Sequence, residues 1–207
     1  MQKIYLLDLA DVQKHVDKIL PLLAQCDREK AEGVAFLEDR LRFIGGRLLI
    51  KAFTAQGELR YNENGKPFKD KKPFFNISHS GNKVGVFISD NAEVGFDIQE
   101  IKPFADKILD YAFSEEKSLI KTDEDFAKIW TMKESAVKFF GKSVAIFKSN
   151  ALKEINDNSF VFCGQKLYYK SGIIDVYAFT VCSTEKVYAE ILEVDCDFII
   201  KTLAKSL

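Results

Sequence analysis

One segment of this chain, residues 129–138, is predicted to carry three chemically different side chains on a single helical face. Trp130, Glu134 and Lys138 recur every four residues, and this spacing stacks side chains above one another on a helix. The face therefore presents an aromatic ring, a carboxylate and an ammonium in a row. Taken alone, the segment favours an ordinary exposed Glu–Lys pair, which stabilises a helix by about 0.3–0.5 kcal/mol.

A second carboxylate, Asp97, lies upstream in a segment that is predicted to be a strand. Its neighbours are Phe96 and Ile98, and a charge buried among such residues is costly unless it is paired or bound to a metal. A structural salt bridge and a metal site explain Asp97 about equally well. Together with Glu134, however, it could hold a hard cation against a phosphate, with Lys138 one helical turn beyond.

Small hydrogen-bond donors follow at the end of another predicted strand, where Ser78, His79 and Ser80 precede a glycine. Such a cluster could face an anion, although a hairpin turn whose hydroxyls bond to the backbone is the simpler interpretation. Nucleophilic hydrolysis is disfavoured because the sequence has no Gly-x-Ser-x-Gly motif. The other histidine, His15, lies in a predicted surface helix.

The order of these motifs along the chain decides between the alternatives. The motifs are Gly65-Lys66-Pro67, Phe75-Asn76-Ile77-Ser78-His79-Ser80, Gly95-Phe96-Asp97-Ile98, Trp130-Thr131-Met132-Lys133-Glu134-Ser135, Lys138 and Gly141-Lys142. In this order and spacing they closely resemble the 4′-phosphopantetheinyl transferase superfamily, in its two-lobed, surfactin-synthetase-activating type. The resemblance extends over residues 40–142.

The resemblance implies an enzyme that moves the phosphopantetheine arm of coenzyme A (CoA) to a serine of an apo acyl, peptidyl or aryl carrier protein. Adenosine 3′,5′-bisphosphate is released, and Mg²⁺ is the expected cofactor. Holo-[acyl-carrier-protein] synthase activity, as used in fatty acid biosynthesis, falls within this expectation. The alternative is a non-catalytic module that binds CoA or a carrier protein through the same fold.

The resemblance also implies roles for individual residues. The expected metal ligands are Asp97, Glu134 and, where many members have a second acidic residue, Gln99. The expected catalytic residues are Glu134, Lys138 and Glu116. The expected contacts to CoA are Arg42, Lys66, Ser78, His79, Lys133 and Lys138.

The proton acceptor is left open at this point. The family commonly has a glutamate three residues after the serine of a Phe-Ser pair, but Phe113-Ser114 is followed by acidic residues at positions 115 and 116 and then by Lys117. Either Glu116 substitutes for the missing glutamate, or Glu134 takes the proton together with a water on the metal.

Composition excludes several other classes of function. The 207 residues carry a formal net charge of −1, so no global basic field points to nucleic acid or to an anionic membrane surface. The amino-terminal apolar run is too short for a signal peptide, and no apolar run is long enough to span a bilayer. Four widely spaced cysteines predict reduced packing residues rather than a disulfide or zinc framework. A cytoplasmic protein is the expectation.

The predicted fold class is α+β. Helices are expected at 34–53 and 123–140, and the chain after residue 150 is expected to be rich in strands, beginning with one at 151–155. The resemblance implies two similar lobes related by a pseudo-twofold axis, each with helices packed on a small antiparallel sheet. A break at Lys102-Pro103 predicts an amino-terminal lobe of residues 1–101 and a carboxy-terminal lobe of residues 102–207. The expected assembly is a monomer with CoA between its lobes.

Overall fold

Two four-stranded sheets organise the fold, and each combines consecutive strands with a strand from the other half of the chain. The computed structural model describes residues 1–113 and 115–205, except for the side chains of Asp106 and Tyr111. The strands in chain order are β1 (Gln2–Asp8), β2 (Arg60–Tyr61), β3 (Pro67–Phe68), β4 (Phe74–Ser80), β5 (Lys83–Ser89), β6 (Val94–Glu100), β7 (Ser159–Phe162), β8 (Gln165–Ile174), β9 (Tyr177–Ser183) and β10 (Glu190–Val194). The α-helices are α1 (Leu9–Lys14), α2 (Val16–Ile19), α3 (Gln25–Glu32), α4 (Leu37–Phe53), α5 (Asp106–Ala112), α6 (Asp123–Phe139) and α7 (Cys196–Ala204).

The first sheet has the strand order β10-β1-β5-β4, and the second has the order β6-β9-β8-β7. Every pair in the second sheet is antiparallel. In the first sheet β10 runs parallel to β1, whereas the other pairs are antiparallel. The α+β class is therefore confirmed, but the expectation of purely antiparallel sheets holds for the second sheet alone.

The strand pairings do not follow the predicted lobe boundary at residue 101. Strand β6 belongs to the second sheet, where Asp97 pairs with Thr180, while β10 and α7 return to the first lobe. The physical reason is burial: Ile199 and Leu203 of α7 pack into the same apolar core as Leu48 of α4. The first lobe thus combines residues 1–89 with residues 190–204, and the second spans residues 94–183.

Two carboxy-terminal features differ from the sequence prediction. The expected strand at 151–155 is wrong, since only an isolated bridge joins Lys153 to Val161. The left-handed φ of 50° at Glu154 interrupts an extended run. Helix α7 was not predicted. Asp195 is nevertheless a recognisable start signal, since its carboxylate accepts a hydrogen bond from the Phe198 N–H at 2.7 Å.

Helix α6 crosses β6 at very close range. It begins at a capping box formed by Thr122 and Asp125. A Cβ atom built on Gly95 of β6 would lie 1.9 Å from the backbone oxygen of Ser135, so only glycine permits this approach. Tight contact between strand and helix sets the distance between the carboxylates on these two elements.

The sheets are joined edge to edge by side chains rather than by backbone pairing. Alternate polar residues of β4 accept hydrogen bonds from the free edge of β6. The N–H groups of Phe96, Ile98 and Glu100 donate to Asn76, Ser78 and Ser80 at 3.0, 3.3 and 3.0 Å, respectively. This ladder satisfies backbone groups that would otherwise be buried without partners, and it fixes the register between the lobes.

Trp130 lies in an aromatic cluster, where its ring centroid is 5.7–5.9 Å from those of Phe113, Phe126 and Phe147. This environment agrees with a packing role for the tryptophan. No helix within the described ranges is long and apolar enough to cross a membrane.

Candidate functional site

Asp97 lies at the centre of a polar cluster where β4, β6 and α6 meet. Its Oδ1 accepts a hydrogen bond from Ser78 Oγ at 2.7 Å and contacts Lys138 Nζ at 2.6 Å. Lys138 Nζ also donates to Ser78 Oγ at 2.8 Å. Because Ser78 Oγ additionally accepts the Ile98 N–H, one hydroxyl connects the ladder between the lobes to the charged cluster.

Glu134 adds a second carboxylate to this cluster. Burial and the negative charge of Asp97 together raise the pKa of Glu134 to about 7, against the opposing effect of the positive charge of Lys138. Two carboxylates thus share a single ammonium group, which leaves one negative charge without a counter-ion when both are ionised. A second cation at this position would restore the balance.

The unpaired oxygen of Asp97 shows where a cation would fit. Within the described part of the chain, Asp97 Oδ2 is buried and has no hydrogen-bond partner. Mg²⁺ prefers a small number of carboxylate oxygens together with phosphates and waters, so a pair of neighbouring carboxylates suits it. The residues present therefore fit the metal that the resemblance of the motifs implies. Gln99 lies two positions after Asp97 and so on the same face of β6.

His79 extends the site toward the solvent. The surrounding protein desolvates its ring and lowers the pKa of His79, and the positive charges of Lys138 and Arg42 lower it further. The imidazole is therefore neutral at pH 7 and stands beside two cations. An anion bound at this position would favour its protonated form.

Arg42 of α4 contacts the turn between β4 and β5. Its guanidinium contacts Asp39 at 2.8 Å and Glu38 at 3.2 Å, and it donates to the Gly81 carbonyl at 3.1 Å. Among the described residues, its Nε is buried and has no partner. The Gly81 contact, which sequence spacing does not reveal, brings this helix to the end of β4.

Lys66 lies at the carboxy-terminal end of α6. Its Nζ donates to the Phe139 carbonyl and to Glu93, each at 3.2 Å. Asn62 and Asn64 bond to the Gly141 carbonyl at 3.0 and 2.9 Å. The loop that carries Lys66 therefore caps the helix bearing Glu134 and Lys138, and the contacts of Lys66 are to this helix end rather than to Asp97.

Lys133 and Glu116 depart from their expected positions. They form an ion pair at 3.0 Å with exposed side-chain fractions of only 1% and 2%, and Lys133 Nζ also donates to the Ala112 carbonyl at 2.5 Å. Glu116 accepts the Leu152 N–H at 2.7 Å. Position 133 is adjacent to Glu134 in sequence, but on a helix the two side chains diverge by about 100°. Ser114, part of the Phe-Ser motif, lies outside the described residues.

The sequence analysis missed the structural role of Asn76 and Ser80. With Ser78 they occupy every second position of β4, so their side chains lie on the same side of the strand. Both accept hydrogen bonds from the β6 backbone, as Ser78 does. A run of small polar side chains at every second position was the available signal, since such a pattern is unusual in a buried strand.

Comparisons with known proteins identify the family of this chain. A family model of the 4′-phosphopantetheinyl transferase superfamily matches residues 93–178. The chain is 31% identical over 169 residues to 4′-phosphopantetheinyl transferase psf-1 of Bacillus pumilus, which covers 73% of this chain and 72% of that protein. It is 30% identical over 151 residues to 4′-phosphopantetheinyl transferase Sfp of Bacillus subtilis (strain 168), covering 65% and 67% of the two chains. 4′-Phosphopantetheinyl transferase AcpT of Escherichia coli (strain K12) is 35% identical over 116 residues, which is 50% of this chain and 60% of that protein.

Proposed function

The chain belongs to the 4′-phosphopantetheinyl transferase superfamily, and we propose that it transfers the 4′-phosphopantetheine arm of CoA to a serine of an apo carrier protein. The observation that carries the proposal is the convergence of Asp97, Glu134 and Lys138 from β6 and α6. Two carboxylates and a lysine at one point suit a reaction in which a pyrophosphate is held and cleaved.

The reaction forms one phosphorus–oxygen bond and breaks another. The serine hydroxyl of the carrier attacks the phosphorus atom next to the pantetheine, and the bridging P–O bond of the pyrophosphate breaks. The serine loses its proton, and adenosine 3′,5′-bisphosphate leaves with the electron pair. The protein's task is chiefly to position the reactants and to neutralise charge.

Asp97 and Glu134, with Gln99 in a supporting position, are the proposed ligands of Mg²⁺. When bound, this ion would neutralise charge on the pyrophosphate oxygens. The unpaired Oδ2 of Asp97 supports the assignment. Because Gln99 replaces a carboxylate, the metal site has one negative charge fewer, and we expect Mg²⁺ to bind more weakly than it would to a site with three carboxylates.

Lys138, His79 and Arg42 are the proposed anion contacts, and Ser78 orients Lys138 through its hydroxyl. The Lys138 side chain keeps 28% of its surface exposed, so its ammonium is accessible from the cleft. A phosphate bound next to His79 would be met by two cations and by an imidazole that can take up a proton. This group of residues suits the 3′-phosphate and pyrophosphate of CoA.

Glu134 is the proposed proton acceptor. Without a metal its pKa is raised to about 7, and a bound Mg²⁺ would lower this value and keep the carboxylate ionised, in the form that can accept a proton. Glu116 is less suitable because its carboxylate is buried and already bonded to Lys133 and to the Leu152 N–H. For the same reason we propose a structural role for Lys133, and Lys66 is assigned to holding the end of α6.

The transfer is tested by incubating the purified protein with CoA, Mg²⁺ and an apo carrier, followed by intact mass measurement of the carrier. The expected result is a mass gain of one phosphopantetheine arm, absent when the acceptor serine of the carrier is replaced by alanine. Acyl and peptidyl carriers are tested in parallel, and gain on an acyl carrier would establish holo-[acyl-carrier-protein] synthase activity. Failure on all carriers, beside an active control transferase, would refute the proposal. CoA binding without transfer would support the non-catalytic alternative.

We also propose that the enzyme is monomeric and cytoplasmic. Asp97, Glu134, Lys138, Ser78 and His79 all come from one chain, so the cluster does not require a second copy. The four cysteines are free, which suits a reducing compartment. Light scattering of the purified protein tests the oligomeric state, and a mass of one chain is expected.

A further inference from the structure

A second group of potential ligands lies apart from the transferase site, where α1 meets the start of α7. Asp11, His15 and Cys196 each offer one ligand atom, and these atoms all lie within 4.8 Å of one another. Residues 11 and 196 are 185 positions apart, so only the tertiary fold brings the carboxylate and the thiol together. A carboxylate, an imidazole and a thiol are the three kinds of side chain that bind zinc.

The three side chains of this group make close polar contacts with one another. His15 Nδ1 lies 3.0 Å from the Asp11 backbone carbonyl and 3.2 Å from Asp11 Oδ1. The second carboxylate oxygen, Oδ2, accepts the Cys196 N–H at 2.7 Å. His15 Nε2 lies 3.7 Å from Asp197 Oδ1, beyond hydrogen-bonding distance. Asp197 is thus a further carboxylate at the edge of the group, available as a fourth ligand.

Burial and charge favour a cation here. Cys196 is fully buried, whereas the side chains of His15 and Asp11 keep 17% and 24% of their surface exposed, so the group is accessible from one side. Burial raises the pKa of the Cys196 thiol, and the carboxylates of Asp11, Asp195 and Asp197 raise it further. These carboxylates create a negative environment that a divalent ion would neutralise.

Helix capping explains only part of the arrangement. The Asp11 carboxylate caps α7, contacts His15 and accepts a hydrogen bond from the Cys196 thiol, so capping does not account for the convergence of all three side chains. We propose that Asp11, His15 and Cys196 form a structural zinc site, with Asp197 or a water as the fourth ligand. On binding, the thiol proton leaves to solvent and the thiolate coordinates the ion. The site would tie α7, the last helix of the chain, to α1 and hold β10 against β1.

Cobalt substitution tests the proposal. In a background where the exposed cysteines are removed (Cys26→Ser with Cys163→Ser), Co²⁺ is added to the metal-free full-length protein and thiolate-to-cobalt absorption in the near ultraviolet is measured. The expected result is a thiolate-to-cobalt band that saturates at one equivalent of thiolate-bound metal and is displaced by Zn²⁺. Two results would support the site. The band should be absent in Cys196→Ser, and His15→Gln or Asp11→Asn should bind Co²⁺ with an affinity at least tenfold lower.

Two controls separate this site from the others. Asp97→Asn removes a proposed Mg²⁺ ligand and should leave the cobalt band unchanged, and Cys182→Ser removes the other buried thiol and should do the same. Zn²⁺ should raise the melting temperature of the protein but not that of His15→Gln, in which glutamine keeps a polar side chain at this partly exposed position. A band that persists in Cys196→Ser, or an equal thermal shift in His15→Gln, would overturn the proposal. The outcome is independent of transferase activity.

Discussion

Lys138 Nζ lies 2.6 Å from Asp97 Oδ1, whereas the other oxygen of the same carboxylate is buried without a partner among the described residues. One oxygen of Asp97 is therefore neutralised by an ammonium on α6, while the charge of the carboxylate also acts on Glu134, a second carboxylate in the same cluster. This asymmetry distinguishes the cluster from a simple structural salt bridge, in which both oxygens would be satisfied. The unpaired oxygen that suits metal binding therefore lowers the stability of the metal-free protein.

Replacing Asp97 by asparagine should remove transferase activity without unfolding the protein. Asparagine retains an oxygen that can accept from Ser78, but it cannot neutralise Lys138 or bind Mg²⁺ with a full charge. We expect kcat/KM for CoA to fall by at least about 100-fold, with a higher Mg²⁺ concentration needed for half-maximal rate. Asp90→Asn, at an exposed aspartate paired with the amino terminus, is the matched control and should be fully active. Normal Mg²⁺ dependence in Asp97→Asn would refute the metal assignment.

Glu134→Gln should stabilise the metal-free protein at neutral pH while abolishing transfer. The pKa of Glu134 is raised from 4.5 to about 7 on folding, so between these values the folded state holds a proton that the unfolded state has released. Raising the pH through this window therefore costs the wild type stability, by at most about 3 kcal/mol. Glutamine carries no such penalty.

Urea unfolding in a chelating buffer measures this effect at about pH 5 and about pH 8. The difference in unfolding free energy between Glu134→Gln and wild type should grow in favour of the variant as the pH rises. An equal difference at both pH values would show that Glu134 titrates normally.

Ser78→Ala and Ser80→Ala should separate lobe joining from catalysis. Each removes one hydroxyl that accepts a β6 N–H, so each should lower the unfolding free energy by about 1–3 kcal/mol. Only Ser78 also bonds to Asp97 and Lys138, so only Ser78→Ala should reduce kcat/KM, by about tenfold. Equal loss of activity in the two variants would argue that Ser78 acts through the lobe interface alone.

Lys133→Met should destabilise the protein strongly, because Glu116 would remain charged and buried without its partner. A loss of about 3–5 kcal/mol is expected. The double variant Lys133→Met with Glu116→Gln keeps an acceptor for the Leu152 N–H and should recover most of this loss. If the pair is structural, the folded double variant retains transferase activity. A folded but inactive double variant would instead favour the original assignment of Glu116 as the base.

Gly95→Ala should force α6 away from β6. The added Cβ would meet the backbone oxygen of Ser135 at 1.9 Å, a contact that no side-chain rotation relieves. We expect a loss of about 3 kcal/mol or more in unfolding free energy, and a large fall in activity because Glu134 and Asp97 would separate. Gly33→Ala, where the nearest atom lies 3.5 Å away, should be neutral or slightly stabilising. Thermal unfolding and initial rates measure both variants.

The sequence was sufficient for the local elements of the site. The four-residue spacing of Trp130, Glu134 and Lys138 placed them on one helix, and the apolar neighbours of Asp97 placed it in a buried strand. Local elements follow from sequence because backbone propensity, capping and side-chain periodicity act over a few neighbouring residues. The order of the motifs then identified the family.

The tertiary structure decided what these elements meet. It separated Lys133 from its neighbour Glu134 by pairing it with buried Glu116, and it moved β6 into the second sheet. It also joined Cys196 to Asp11 across 185 positions. Such pairings depend on which apolar surfaces are buried together and on which backbone groups still need partners. Both depend on the whole chain, so spacing in the sequence alone does not determine them.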